Sequence, residues 1–424
     1  MTNSETKNFS QNVSSSYHLE DRNKNIPKLR FKEYNDEWKK VKLKDICSDF
    51  IVPMRDKPKE FNGNIPWCRI EDIEGNYFHG TKSNQYVSQE TIDVMNLKII
   101  PTGSVICSCS ASLGTYAINT RPIITNQTFI GLVCSDKISN HFLLNLMHTQ
   151  TKKLRIIAGG TTIPYISREK FEEYNIKIPN KDEQEKIASF LTLIDKKIEK
   201  QKELVELLKK YKRGLLSSIF SQNLRFKDND GNDYPDWTEK TLGEITDNIS
   251  YGLNAASKKF DSKNKYIRIT DIDETTGKYN NLDIVSPDCV LSDEYKLKIN
   301  DLLFARTGAS TGKTYLYNEN DGKIYFAGFL IKFSIKEEYY SNFIFYITQT
   351  SKYKKWVSIM STRSGQPGIN AKEYSKYKFS CPVYNELVKI SNIISIIVNI
   401  IEKANILLDF YNDYKKGLLQ KMFI

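Results

Sequence analysis

The sequence predicts an α+β protein. It has two mixed α/β heads separated by an antiparallel pair of long coiled-coil helices, the whole arranged as a pseudo-twofold internal repeat. Three observations carry this. The first half of the 424-residue chain recurs in the second at an offset near 200, and a repeat decides architecture before any single motif does. Each copy ends in an uninterrupted run with apolar residues spaced alternately four and three apart, the seam of a coiled coil. What precedes each run mixes short β-rich stretches with Gly, Pro and Asn turn signals.

Taken in order, residues 1–26 are polar and read as a flexible leader. Residues 27–180 form the first head and 222–380 the second. Leu29-Arg30-Phe31-Lys32 recurs as Leu224-Arg225-Phe226-Lys227. Trp38 and Trp237 each stand 31 residues before the Arg of Arg69-Ile-Glu-Asp-Ile73 and Arg268-Ile-Thr-Asp-Ile272. Both tryptophans read as core anchors, and each Arg as the partner of the Asp three residues on. Short helices are expected at 141–155 and 342–356.

The long helices occupy 181–221 and 381–424, and 183–220 align without a gap to 386–423 with 14 identities. The first seam is Ile187, Leu191, Ile194, Ile198, Gln201, Val205 and Leu208. The second is Ile390, Ile394, Ile397, Ile401, Ala404, Leu408 and Tyr411. A helix this long cannot bury its seam on its own small head, so each copy is expected to cover the other's.

Lys plus Arg number 62 against 51 Asp plus Glu, a net charge of +11, which favours a polyanionic partner. No apolar run reaches the ~20 residues a membrane span requires, so a cytoplasmic protein is expected. Seven scattered cysteines and four histidines supply neither a disulfide framework nor zinc-ligand spacing. They read as buried free thiols. Two heads on a rigid helical spacer suit the reading of two separated positions on DNA, where one helical turn is roughly 34–36 Å.

The markers in order are Leu-Arg-Phe with its Trp, Arg-Ile-x-Asp-Ile, and Ala111-Ser-Leu-Gly114 or Ala309-Ser-Thr-Gly312. Glu183-Gln-Glu-Lys-Ile-Ala and a closing Tyr-Lys-Arg-Gly-Leu-Leu complete the series. This series, over about 27–424, resembles the specificity subunit of type I restriction–modification systems. The resemblance implies two target-recognition domains, each reading one half of a bipartite, asymmetric site in double-stranded DNA. It implies a non-catalytic chain whose helices bind two modification subunits, and restriction subunits that join later. S-adenosylmethionine, ATP and magnesium would all sit on those partners, with no cofactor or metal on this chain. One departure is Glu386-Leu-Val-Lys in place of Glu183-Gln-Glu-Lys, which implies that the second helix starts with different docking.

Base reading needs Arg, Lys, Ser, Thr, Asn or Gln on loops, with small residues that permit close approach. In the first head the candidates are Arg55, Lys57, Ser108, Ser110, Ser112, Thr161 and Thr162. In the second they are Lys258, Lys259, Arg306, Thr307, Ser310, Lys313, Arg363, Ser364 and Gln366. Arg306 and Arg363 suit guanine and Gln366 adenine. Lys152, Lys153, Arg155, Lys352, Lys354 and Lys355 suit phosphates. The rival is a self-contained DNA methyltransferase or nuclease, for which three motifs offer faint support. Gly308 to Lys313 is one residue short of a phosphate-binding loop. Asp288, Glu294 and Lys296 stand too close together for a nuclease site. Asn64-Ile-Pro-Trp67 only approximates the loop that holds a flipped adenine.

Overall fold

The computed structural model describes residues 13–14, 25–110, 112–159, 164–274, 276–362 and 366–424. It divides into two compact units. One comprises the described residues up to Leu204 together with Ala404–Ile424, the other Val205–Lys403. The division falls inside the two long helices, α1 (Lys181–Phe220) and α2 (Tyr384–Met422). At 1.5 Å per residue each is roughly 60 Å long. Each unit thus joins one head to part of both helices.

In the first unit a six-stranded sheet runs in the order Cys47–Ile51, Phe129–Cys134, Val105–Ser108, Tyr116–Asn119, Tyr77–Phe78 and Ile73–Glu74. Its neighbours are antiparallel except Tyr116–Asn119 against Tyr77–Phe78. Helix Asn140–Ile157 buries Phe142, Leu143, Leu146, Met147 and Leu154 in the same core. A separate antiparallel pair, Lys39–Lys42 with Asn175–Ile178, ties the start of the head to its end. The tail of α2 completes this core: the Phe423 ring lies 6.0 Å from Trp38 and 5.3 Å from Phe142. Of the polar opening expected as a leader, Val13–Ser14 instead pairs antiparallel with Arg30–Phe31, because extended backbone groups there find partners in the Leu-Arg-Phe strand.

The second unit repeats the plan. Its four-stranded sheet runs Thr246–Tyr251, Leu330–Ile335, Asp301–Ala305 and Thr314–Leu316. Thr238–Thr241 with Lys378–Cys381 forms the pair that ties start to end. Leu216 and Ile219 of α1 and Leu387, Ile390 and Ile394 of α2 enter its core. The helix expected at 342–356 is two helices, Glu338–Ile347 and Ser351–Met360. Thr350 causes the break: its hydroxyl caps Tyr353 N, which an interior residue could not do. Thr350 also donates to the Ile347 carbonyl, as the matching Thr151 does to the His148 carbonyl in the first head, where the helix continues; the N–H accepted from Tyr353 is what differs.

Both helices are anchored by an ion pair that spans most of a head. Arg30 donates to Glu183 through Nε (2.8 Å) and Nη2 (2.7 Å), with side-chain exposures of 9% and 0%. Arg225 donates to Glu386 at 2.8 and 2.9 Å, and Trp237 Nε1 joins at 3.0 Å. The expected difference in docking shows in that added indole contact and at the next position. Gln184 binds the Lys137 and Pro179 carbonyls, whereas Leu387 is buried in the core.

Every seam residue is at least partly covered, and Ile187, Leu191, Val205, Ile390 and Ile394 are buried. In the first unit α1 and α2 run antiparallel: Asp195 pairs with Lys415 and Gln201 Nε2 donates to the Ala404 carbonyl at 2.8 Å. Trp38 is buried and Trp237 half-buried against its core. Arg268 pairs with Asp271 at 2.8 Å. The Arg69 side chain, in contrast, turns to Gln85 and Glu71, because Asp72 is occupied by the backbone N–H groups of Arg69 and Lys82.

Candidate nucleic-acid interface

In the second head the buried strand Asp301–Ala305 ends at Arg306. From there Gly308 (φ +69°) and Gly312 (φ +89°) turn the chain into a tight loop. Left-handed backbone requires glycine at such positions. A Cβ on Gly312 would also lie 2.6 Å from Val357. Helix Ser351–Met360 clamps the loop from one side, with Tyr353 OH donating to the Gly312 carbonyl. Residues 366–369 hold it from the other, through Gly308 N to Pro367 O and Ile369 N to Arg306 O. The structure therefore brings Arg306, Thr307 and Ser310 next to Gln366. Lys352, Lys354 and Lys355 stand exposed on the clamping helix.

The first head builds the same assembly. Strand Val105–Ser108 ends at Cys109, whose carbonyl accepts from Ile166 N. Gly114 (φ +105°) packs on Thr151 of helix Asn140–Ile157. Lys152 and Lys153 are exposed on that helix. Ser110 is half-exposed and Ser112 exposed on the loop.

Several expected contacts are already engaged. Ser108 is 2% exposed and donates to the Ser110 carbonyl, because its strand is covered on both faces. Arg155 spends Nε and Nη2 on the Leu113 carbonyl, which makes it a clamp of its own loop. Lys313 is half-buried beside Glu274, and Lys258 lies 3.5 Å from Asp288. Lys259, Arg55 and Lys57 are exposed, with Lys57 lying over the Phe61 ring. Thr161, Thr162, Arg363 and Ser364 lie outside the described residues.

Two concave surfaces escaped sequence reasoning. The first unit has a cleft of about 690 Å³ whose basic lining is Lys152, Lys153, Arg155, Lys415 and Lys416. Only the fold joins the ends of two helices so distant in sequence, although both lysines lie in the closing Tyr-Lys-Lys-Gly-Leu-Leu motif. His148 also lines this cleft; burial, assisted by the charge of Lys415, lowers its pKa to about 4. The second head has a groove of about 700 Å³ lined by Tyr251, Ser257, Arg268, Thr270, Arg306 and Phe329 among others.

The three catalytic look-alikes do not assemble. The backbone N–H groups of Gly308, Thr311, Gly312 and Lys313 all donate to protein carbonyls, so none is free to cradle a phosphate. Asp288 faces Lys258, and no group of three or more His, Cys, Asp or Glu comes together among the described residues. Trp67 is buried in strand Ile65–Cys68, where it cannot face a flipped base. All seven cysteines are free; five are buried, and Cys289 is exposed, contrary to expectation. Among the described residues no helix is long and apolar enough to cross a membrane.

A family model described as the type I restriction modification DNA specificity domain matches residues 35–209 and 227–408. Among curated proteins, a type I restriction enzyme specificity subunit of Methanocaldococcus jannaschii is 28% identical over 244 residues. That match covers 54% of this chain and 56% of the relative, so the chain spans just over half of its length. A second specificity subunit from the same organism is 22% identical over 87% of each chain. Among solved structures, the S subunit of a type I system from M. genitalium matches 94% of this chain and 99% of its own. Its TM-score is 0.59 at 18% identity. A chain from a structure of type I system assembly and conformational transition matches 91% of this chain and 97% of its own, with a TM-score of 0.54 at 15% identity.

Proposed function

The chain belongs to the type I restriction–modification DNA specificity family, and from that premise we propose that it is the DNA-recognition subunit of such a system. Each head reads one half of a bipartite, asymmetric site in double-stranded DNA. The chain itself is non-catalytic. It directs adenine methylation by two modification subunits, which carry S-adenosylmethionine, and cleavage by restriction subunits, which use ATP and magnesium.

One observation carries the reading. Both heads present the same loop, clamped by an equivalent helix and following segment, with different side chains at its start: Cys109 and Ser110 in one, Arg306 and Thr307 in the other, ahead of the serine that both share (Ser112 and Ser310). A common scaffold with divergent reading residues is what two unlike half-sites require. The finer architecture we infer is a coiled-coil helix pair with pseudo-twofold repeats. Gln201 and Ala404, which share a hydrogen bond, are 203 residues apart, the same offset that relates the helical repeats.

The test is a head swap. Replacing residues 27–180 with the head of another such chain should change one half of the methylated site and leave the other half and subunit assembly intact. An unchanged site overturns the reading, as would methylation or cleavage by the purified chain alone.

A further inference from the structure

The groove of the second head holds one arginine in an arrangement that its counterpart lacks. Arg306 Nε donates to the Gly328 carbonyl at 3.0 Å. Its guanidinium lies 5.1 Å from the centre of the Tyr251 ring and 6.0 Å from that of Phe329. Tyr251 is fixed in turn, its hydroxyl accepting from Ala371 N. Both rings are exposed, by 44% and 56%. A fully exposed arginine samples many rotamers, whereas Arg306 is half-buried. This one is held by one hydrogen bond and two aromatic neighbours, and its two Nη groups have no partner among the described residues. A guanidinium bound through Nε presents those two donors side by side, the geometry that matches paired acceptors such as guanine O6 and N7.

Strand register identifies the same three places in the first head. Ser108 faces Phe129 as Ala305 faces Leu330, and Ile51 faces Gly131 as Ser250 faces Lys332. The residues that follow or precede these give Val52, Cys109 and Thr128 as counterparts of Tyr251, Arg306 and Phe329. Cys109 N donates to Thr128 O as Arg306 N donates to Phe329 O, so the backbone is shared and only the side chains differ. Cys109 is buried and offers only a weak donor.

We propose that Arg306, oriented by Tyr251 and Phe329, reads a guanine in the second half-site, and that the first head makes no guanine contact at the equivalent place. This rests on the DNA-recognition reading above and adds the residue, the base and the asymmetry to it.

The experiment uses the full chain assembled with its modification subunits and a plasmid library randomised over both half-sites, read by sequencing modified adenines. With Arg306→Ala, preference for guanine at one position of the second half-site should fall about 10- to 100-fold, while the first half-site stays unchanged. Arg306→Lys should restore it only in part, since an ammonium can reach guanine but lacks the rigid planar fork of two donors. Phe329→Ala, at an exposed position that tolerates truncation, should relax the same base severalfold, and it decides the matter if the Arg306 variants do not assemble. Uniform weakening over all sequences would mean a phosphate contact and overturns the proposal. So does an unchanged guanine preference in the Phe329 variant when no Arg306 variant assembles. If the wild-type complex methylates a bipartite site without guanine in the second half, only this inference falls. If it methylates no bipartite site, the recognition reading falls as well.

Discussion

Arg30 and Glu183 meet across 153 residues, and nothing in local spacing announces it. Each stands in a recognisable motif, yet only the folded head shows that the two motifs close on one another. Burying the carboxylate completely is tolerable because the arginine fork satisfies both oxygens. Replacing Arg30 with Met should therefore cost about 3–5 kcal/mol in urea unfolding, whereas the double change with Glu183→Leu should recover most of that loss. His148 makes a second residue-level prediction. Its folded-state pKa of about 4 lies below the ordinary 6.5, so the unfolded chain takes up the proton first. Stability should be full above about pH 6.5 and fall by ~3 kcal/mol as pH drops toward 4. His148→Gln should flatten that part of the profile. Ser108 shows where reading by residue type fails: a serine beside glycines and alanines suggests a contact loop, but burial of the whole strand takes it out of reach.

Among the elements, the long helices were legible and the short ones less so. A 4-3 apolar period running over seven positions leaves little freedom about which face is covered, and each position of that seam is at least half-buried. The break at 348–350 was not legible, because a threonine that bonds back to the carbonyl three residues before it, as Thr151 and Thr350 both do, suits a continuous helix or the start of a new one. The choice depends on packing. Thr348 meets the Thr314 hydroxyl at 2.7 Å, and Thr350 caps Tyr353, whose ring is buried. Along the helices the contrast between faces is testable. Ile394→Ala, at a fully buried position, should cost about 2–5 kcal/mol. Leu207→Ala, 64% exposed, should change stability by less than about 0.5 kcal/mol. Guanidinium or urea titration followed by circular dichroism separates the two.

The duplication was legible in the whole molecule because it preserves order and spacing even where side chains diverge. The net charge of +11 was legible as an attraction to phosphate, but not its distribution. Several of the basic residues first considered for DNA are spent on internal partners, among them Arg155, Lys258 and Lys313. Lys152, Lys153, Lys352, Lys354 and Lys355 are exposed, and we propose for them a sequence-independent contact with phosphate. Replacing Lys354 and Lys355 together with Ala should weaken binding to all DNA alike and reduce the salt slope by about two. A change in the preferred sequence would contradict that assignment.

Phe423 and Met422 in the core beside Trp38 have a further consequence for biosynthesis. The ribosome delivers the first head early, but the residues that finish its interior arrive only after the second head has been made. The unit Val205–Lys403, contiguous in sequence, can close while the earlier one still waits. A nonsense mutation that removes residues 418–424 would thus damage the head at the opposite end of the message, leaving the more recently translated one whole.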